Sequence, residues 1–343
     1  MPGIIETLRA DDVTASWIGY LDELGPPSLD VDLPEPNALP AVLRALDVPD
    51  EDVADLIMML PSAERDPDTW WLLTRATHSL VRHMGTVEGP PEFPKFPNAV
   101  AGTHRFFFVY VYLATLVHVQ AYHRARGIPA AIGRELLADL GRSMREYRLA
   151  HGTGGFIDAA WLMIHFRGLL YHLGRLQFER RRLGRRIGAA VNAAGLDAGT
   201  DDPALGIHIP ALSGALAPEA CDASIVEAAA FFARYFPGER YEIAVCDSWL
   251  LDPQLAEYLP ATSNIVRFQC RFRLAAGPDP VDEWILRFVF GRADVDLDTV
   301  PQRTTLERAV ASHLRAGRTW HGGLGWLVLP GSTPRASTDT VTS

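Results

Sequence analysis

The sequence predicts an α+β protein, in which a mainly helical N-terminal half precedes a half that mixes helices and strands. Apolar residues recur at helical spacing through roughly the first 150 residues. Two apolar runs typical of strands, 205–210 and 241–246, then lie on either side of a helix predicted over 218–236. Further strands are predicted over residues 264–274, 283–290 and 323–329. A chain of 343 residues is long enough for a large core and for more than one domain.

Helical spacing and helix-breaking residues define the elements of the N-terminal half. The spacing of Trp17 and Leu21 indicates a helix over residues 1–24, which Gly25-Pro26-Pro27 ends. Further helices are predicted over residues 37–46, 50–60, 66–84, 106–126, 129–151 and 156–170. The proline-rich run 89–97 cannot be helical. The glycines of residues 151–155 separate the last two of these predicted helices.

These patterns predict three parts of the chain. A helical N-terminal domain covers residues 1–155, a mixed domain covers 156–330, and residues 331–343, rich in Ser, Thr and Pro, form a disordered tail. Two shorter features complete the mixed domain: a helical turn over 252–258 and a helix over 304–316. Residues 190–203 are predicted to be an acidic loop.

Composition excludes several classes of partner. A formal net charge of -10 argues against nucleic acid. The three cysteines are odd in number and lack metal-ligand spacing, and no Glu-x-x-His or His-x-x-x-His pattern supports a metal site. The N-terminus carries no signal-peptide pattern, and the apolar run 106–119 is shorter than the roughly 20 residues that span a membrane. We therefore expect a cytoplasmic protein with no membrane partner, and a homodimer is one possible assembly.

The loop between the run 205–210 and the helix at Pro218 is a candidate phosphate site. A strand that leads into a loop and a helix N-terminus presents backbone N–H groups and the positive helix end to a ligand. Ser213, Gly214 and Ala215 are small enough for that backbone to approach a phosphate closely. The alternative is an ordinary strand-to-helix turn.

Two polar residues on the strands are candidates for acid–base chemistry. His208 lies within an apolar strand and points to the face opposite Ile207 and Ile209. An imidazole titrates near neutrality, so His208 is a candidate general base, with a buried structural histidine as the alternative. Asp247 ends the second strand and is a candidate wall of an amine-binding site, whereas Cys246 is expected in the core.

Short sequence segments in the second half of the chain resemble those of a known family. The segments Ile207-His208-Ile209-Pro210, Ser248 to Leu255 and Ser263 to Gln269 are similar to those of a bacterial family of acyltransferases. Members of that family join a helical N-acyltransferase N-terminal domain to a GNAT-like C-terminal domain. The resemblance covers about residues 5–330, and it implies a mixed sheet in which a central strand splays from its neighbour to admit acyl-CoA.

The resemblance also implies roles for individual residues. In the predicted reaction His208, or a water held by it and Asp247, removes a proton, and the resemblance implies that Tyr258 returns a proton to the departing thiolate. Acyl-CoA is the expected co-substrate. Its predicted contacts are Ile209, Ser213, Gly214, Ala215 and Leu216, with Arg182 from the arginine-rich segment 180–186. The alternatives are a helix-end tyrosine that only packs and a solvated basic face.

One part of the pattern differs from the family. The usual phosphate-binding signature is Arg or Gln, two residues, Gly, one residue, and then Gly or Ala. Here the loop 211–217 contains one glycine and begins with alanine. The predicted function is transfer of an acyl group from acyl-CoA, or another acyl thioester, to an amine or hydroxyl of a small molecule. The alternatives are a GNAT-shaped binding or scaffold protein that does not catalyse, and a hydrolase that uses water as acceptor.

Overall fold

The structure is a computed structural model that describes residues 3–156, 158–210, 213–275 and 279–331. The chain divides into two compact units, one ending at Tyr171 and the other beginning at His172. The predicted tail, apart from Gly331, lies outside the described residues, as do Ala211 and Leu212 of the predicted phosphate loop.

The N-terminal unit is built from helices, as the sequence predicts. The described helices are α1 (Ile4–Ala10), α2 (Ala15–Leu24), α3 (Leu39–Ala45), α4 (Asp50–Met58), α5 (Pro67–Arg82), α6 (Asn98–Ala101), α7 (Phe107–Ala125), α8 (Ala130–Leu137), α9 (Asp139–His151) and α10 (Ala159–Phe166). The predicted helices 1–24 and 129–151 are each divided in two. Gly152 adopts φ 69° and ends α9, which is the left-handed conformation that glycine reaches without strain.

Aromatic side chains form the core of this unit around α7. Tyr112 on α7 packs against Phe166, with ring centroids 4.5 Å apart, and against Phe93 at 6.0 Å. Phe93 and Phe96, from the proline-rich run, are both buried. Helix α7 is thus the buried centre of the unit. In the described part of the chain, no helix is both long enough and apolar enough to cross a membrane.

The C-terminal unit is organised around a mixed sheet of six strands in the described residues. The strands are β1 (Leu170–Leu173), within which the division of the chain falls, β2 (Leu176–Arg182), β3 (Pro203–His208), β4 (Ile243–Ser248), β5 (Arg273–Ala275) and β6 (Gly323–Val328). Their order is β1-β2-β3-β4-β6-β5, and β3 and β4 run parallel. The helical N-terminal unit and this sheet confirm the predicted α+β class.

Helices cover the sheet. α11 (Arg185–Ala193) buries Ile187 and Val191 in a cluster with Ala204 of β3 and Ile243 of β4. This helix occupies the start of the segment that was predicted to be a loop. α12 (Pro218–Tyr235) packs against β2, and as the crossover between two parallel strands it is the connection that parallel pairing requires. The strands predicted at 205–210, 241–246 and 323–329 correspond to β3, β4 and β6.

Two predicted strands are wrong. Residues 264–274 form the helix α13 (Asn264–Gln269) followed by the short β5, and residues 283–290 lie in α14 (Asp282–Phe290). The Ser263 side chain accepts a hydrogen bond from the Val266 N–H and caps α13. Gly291, at φ 81°, ends α14. Local capping and helical burial of Ile285 therefore outweigh the β-branched and aromatic composition that favoured strands.

The remaining elements complete the C-terminal unit. Two short 3-10 helices, Trp249–Leu251 and Pro253–Glu257, follow β4, and α15 (Thr305–Arg315) precedes β6. α14 and α15 share a small apolar cluster that includes Ile285, Val310 and Trp320. This cluster lies in the chain between β4 and β6, which pair with each other along their whole length.

A buried ion pair joins β2 to the segment that follows α12. Arg180 on β2 is 3% exposed. Its guanidinium donates to Glu239 and, at 2.9 Å, to the Tyr241 hydroxyl, and it lies 4.3 Å from the Phe236 ring centroid. Burial raises the pKa of the Glu239 carboxyl, but the hydrogen bonds from Arg180 and Tyr241 outweigh burial and lower it. Arg180 is therefore a structural residue.

We expect Arg180→Ala to lower the free energy of unfolding by about 2 kcal/mol, because it removes a buried cation and leaves the half-buried Glu239 carboxylate uncompensated. Arg182→Ala, on the exposed end of the same strand, should change it by less than about 0.5 kcal/mol. Urea unfolding of the two variants measures the difference. Equal losses would contradict the structural role of Arg180.

Candidate active site

The sheet opens between its two parallel strands. β3 and β4 pair over three positions only, Ala204 with Ile243, Leu205 with Ala244 and Gly206 with Val245. Both strands continue beyond this point, β3 to His208 and β4 to Ser248. Among the described residues no further pairing joins them, so a gap opens at the carboxyl ends of two parallel strands. Ligands of open α/β sheets bind at such a position.

The strands on each side of the gap keep their pairing with the next strand outward. β2 pairs with β3 from Pro203 through His208, and β6 pairs with β4 from Ile243 through Ser248. Every residue on the two rims of the gap therefore has a partner strand on its outer side. The rims are held by the rest of the sheet even though they are not held by each other.

His208 and Asp247 lie on opposite rims of this gap. Each is two residues beyond the last paired position, Gly206 with Val245, so strand alternation places both on the same face of the sheet. The His208 side chain is 25% exposed and Asp247 is exposed. His208 Nε2 lies 2.9 Å from Oε2 of Glu179 on β2. The structure thus brings a histidine and two carboxylates to the gap.

The loop that follows His208 leads directly to the N-terminus of α12. Ala217 is the N-cap of α12 and makes no capping hydrogen bond with its side chain. Gly214 adopts φ 84°, a conformation that suits glycine. In the described part of the loop, no backbone acceptor takes the N–H groups of Ser213, Gly214, Ala215 or Leu216. These groups and the positive end of an 18-residue helix form a potential anion site.

Arg175 holds this loop in place. The side chain is 8% exposed, and its guanidinium donates from Nη1 to the Pro210 carbonyl and from Nε to the Ala215 carbonyl, both at 3.1 Å. Because the carbonyl and N–H of a trans peptide point in opposite directions, holding the Ala215 carbonyl turns the Leu216 N–H away from Arg175. Burial lowers the pKa of Arg175, yet a guanidinium keeps its charge because its pKa starts above about 12.

The turn that carries Arg175 is fastened to α12. The Arg175 N–H donates to Ser224 Oγ at 2.6 Å, and Ser224 in turn donates to the Ala220 carbonyl. Gly174, at φ 67°, has no room for a side chain, because a Cβ there would lie 2.7 Å from Ser224 Oγ. Ser213 Oγ also lies 3.4 Å from His172 Nε2 on β1. The loop, the β1–β2 turn and α12 are therefore one connected unit.

Cys246 is a core residue. It is fully buried on the face opposite Asp247. Burial raises the pKa of its thiol, and the neighbouring Asp247 carboxylate raises it further. A thiol held in its neutral form is a poor nucleophile. This agrees with the interpretation of Cys246 from the sequence.

Tyr258 lies in a different cluster of the same unit. Its hydroxyl is 3.0 Å from His313 Nδ1, accepts a hydrogen bond from Arg318 at 3.3 Å, and its ring packs 5.9 Å from that of Trp320. The contacts of the described residues do not join Tyr258 to His208 or to Asp247. Its role as proton donor stays a prediction.

Arg182 lies at the far end of β2 from the gap. It pairs with Pro203 at the start of β3, whereas His208 ends that strand, which corresponds to about 17 Å at roughly 3.3 Å per residue. Its Nη1 donates to the Asp201 carbonyl at 3.1 Å. A direct contact of Arg182 with a ligand in the loop 213–217 would have to bridge this distance. Among the described residues, no group of three or more His, Cys, Asp or Glu side chains could hold a metal ion.

Comparisons with known proteins agree with this architecture. One family model, the N-acyltransferase N-terminal domain, matches residues 37–168, and a second, the GNAT-like C-terminal domain, matches residues 170–327. A crystal structure of an acyltransferase in complex with decanoyl-CoA is 39% identical, with a TM-score of 0.84, and the match covers 95% of this chain and 98% of that one. The chain belongs to this acyltransferase family. No curated protein sequence matches it.

Two further acyltransferase structures extend the comparison. A mutant in complex with octanoyl-CoA is 40% identical with a TM-score of 0.85, and a complex with decanoyl-CoA and teicoplanin is 40% identical with a TM-score of 0.82. Both matches cover 95% of this chain and 99% of the other. The GNAT-like domain of this acyltransferase contains the gap, the loop and all the candidate site residues.

Two residues of the site were missed by sequence reasoning. Glu179 is not among the candidates that the sequence suggests, and only the register of β2 with β3 brings it to His208. Arg175 was outside the arginine cluster considered as a phosphate site. The pair Gly174-Arg175 between two apolar runs is a turn signal, but it does not reveal which loop the arginine holds.

Proposed function

We propose that this protein transfers an acyl group from acyl-CoA to an amine or hydroxyl of a small molecule. The observation that carries the proposal is the opening of the sheet between β3 and β4, at the end of β3 that precedes the described loop residues 213–217 and α12. Two solved acyltransferases that are similar to this chain are described as complexes with decanoyl-CoA or octanoyl-CoA. A long acyl-CoA is therefore the donor to test first.

The gap and the loop suit the two ends of such a donor. The pantetheine arm would lie along β3 in the gap, beside Ile209. The pyrophosphate would lie against the N–H groups of Ser213, Gly214, Ala215 and Leu216, where the dipole of α12 favours negative charge. Small residues and a glycine at φ 84° permit this approach although the loop lacks the second glycine of the usual signature. Arg175 supplies a fixed positive charge behind the loop.

The reaction needs one group to take a proton and another to give one back. The acceptor nitrogen or oxygen attacks the thioester carbonyl carbon while the His208 imidazole takes its proton. A backbone N–H of β3 at the gap would stabilise the oxyanion that forms. The C–S bond then breaks, and the thiolate takes a proton, for which Tyr258 is the predicted donor. Asp247, on the other rim of the gap, would attract a protonated amine.

The acceptor that we propose to test is teicoplanin. Two of the similar acyltransferases are described in complex with teicoplanin or with 10C-teicoplanin, alongside decanoyl-CoA or CoA. A bacterial source, a cytoplasmic setting and a possible homodimer remain predictions from the sequence. A binding or scaffold protein without activity is the competing function, because the loop departs from the usual phosphate signature.

We expect Arg175→Lys to weaken decanoyl-CoA binding by about tenfold, or about 1.4 kcal/mol. Lysine is a point charge and cannot hold two carbonyls as a planar guanidinium does. Calorimetric titration measures the affinity. Arg182→Ala is the informative comparison, because sequence reasoning assigned Arg182 to the cofactor whereas β2 carries it about 17 Å along the strand from His208. An equal or larger loss for Arg182→Ala would contradict the loop as the phosphate site.

We expect His208→Ala to lower kcat for acyl transfer by 10²- to 10⁴-fold, a range of about two to four orders of magnitude typical of a general base. Tyr258→Phe should lower kcat as well if the hydroxyl protonates the thiolate. Release of CoA thiol from decanoyl-CoA in the presence of teicoplanin is the assay. Turnover that His208→Ala leaves unchanged would favour a different base. Absence of turnover in the unmodified protein with every donor would favour the binding protein, and thiol release without any acceptor would indicate a hydrolase.

A further inference from the structure

The contact between Glu179 and His208 is a cross-strand pair on the face of the sheet that carries Asp247. His208 Nε2 and Glu179 Oε2 are 2.9 Å apart, and the two side chains are only 25% and 20% exposed. In the antiparallel register of β2 and β3, Gln177 lies opposite His208 and Glu179 lies opposite Gly206. Glu179 is therefore the diagonal neighbour of His208, within reach of a long side chain.

Gly206 makes this contact possible. It is buried in the middle of β3, directly opposite Glu179. A Cβ at Gly206 would lie 3.1 Å from Glu179 Oε2 and 3.0 Å from the Cδ of Arg181, tighter than most contacts of a real methyl group. Because glycine leaves this space open, the carboxylate can lie over β3 and reach the imidazole. A glycine within a strand often marks such a close approach.

The chemistry of the pair determines where the imidazole proton lies. An ionised carboxylate can only accept hydrogen bonds, and a neutral imidazole has one nitrogen that donates and one that accepts. When the Glu179 carboxyl is ionised and the imidazole is neutral, the 2.9 Å contact requires Nε2 to be the donor, and Nδ1 then carries the lone pair. The same face also carries Arg181 of β2 and Asp247 of β4, two charges of opposite sign near the pair.

We propose that Glu179 is a positioning residue that holds His208 as its Nε2–H tautomer, so that Nδ1 is the atom that takes the proton of the acceptor. This inference rests on the proposed function, in which His208 is the base. The role resembles that of a carboxylate which orients a catalytic histidine and keeps one tautomer without itself gaining the proton. It also explains why a glycine, which weakens a strand, lies at position 206.

The direct test is nitrogen NMR of the full chain labelled with [15N]histidine, recorded at about pH 8, where an ordinary imidazole is neutral. The spectrum of His208→Gln identifies the His208 signals. We expect a protonated Nε2 and an unprotonated Nδ1 in the unmodified protein, and a mixture of tautomers in Glu179→Ala. A dominant Nδ1–H tautomer in the unmodified protein, or the same spectrum in Glu179→Ala, would overturn the proposal.

Kinetics provide the second readout. Glu179→Gln should lower kcat for acyl transfer by about 10- to 100-fold, as for other groups that orient a functional histidine, with the KM for decanoyl-CoA unchanged. Glu179→Asp should recover part of the loss. The control Glu242→Gln removes a carboxylate that lies just before β4 and pairs with Arg240, and it should leave both kcat and the tautomer unchanged. A rise in KM with unchanged kcat in Glu179→Gln would refute the positioning role.

A second variant protects the test against a folding defect. Gly206→Ala keeps the carboxylate but places a methyl group against it, and we expect mixed tautomers and a several-fold lower kcat with a normal circular dichroism spectrum. A tautomer and kcat equal to those of the unmodified protein would contradict the proposal. If the unmodified protein shows the Nε2–H tautomer but transfers no acyl group, the proposed function fails while the Glu179–His208 arrangement is upheld.

Discussion

The site depends on the loss of pairing between two parallel strands. Parallel β3 and β4 share three paired positions, and the strands then continue without each other. An opened sheet exposes backbone groups that would normally be paired, and such groups are stable only where a partner or a ligand can satisfy them. The sheet tolerates the opening because β2 holds all of β3 and β6 holds all of β4. The backbone groups that lose their partners are thus confined to the two strand edges that face the gap.

The same opening organises the charges around it. On one side of the gap, β3 precedes a loop in which Arg175 holds the Pro210 and Ala215 carbonyls, and no backbone acceptor takes the N–H groups of its described residues 213–216. On the other side, β4 ends in Asp247, next to the buried thiol of Cys246. The phosphate groups of an acyl-CoA would meet positive charge at one end of the site, near Arg175 and the start of α12. A basic acceptor would meet the negative charge of Asp247 at the other end. The fold thereby keeps the proposed phosphate site apart from the groups proposed for proton transfer.

Sequence reasoning was most successful where the signal is local. Helical spacing and proline breaks predicted the N-terminal helices, and the apolar runs around α12 predicted β3 and β4. It was wrong for residues 264–274 and 283–290, where β-branched and aromatic residues suggest strands. There, Ser263 caps one helix, and Ile285 packs with Val310 of α15 in the other. A local cap therefore accompanies the first helix and packing between distant segments the second, and composition alone revealed neither.

The sequence by itself indicated the helical N-terminal half, the succession β3, α12 and β4, the family resemblance, and two polar candidates for the site, His208 and Asp247. It did so because alternation and strand ends are local properties of the chain. Only the tertiary structure decided that β3 and β4 part after Gly206, that Glu179 meets His208, and that Arg175 holds the loop. Each of these depends on the register between strands or on a contact across about 30 or more residues of chain, such as the 29 that separate Glu179 from His208. Register is set by how whole elements bury their apolar faces, so no short stretch of sequence contains it.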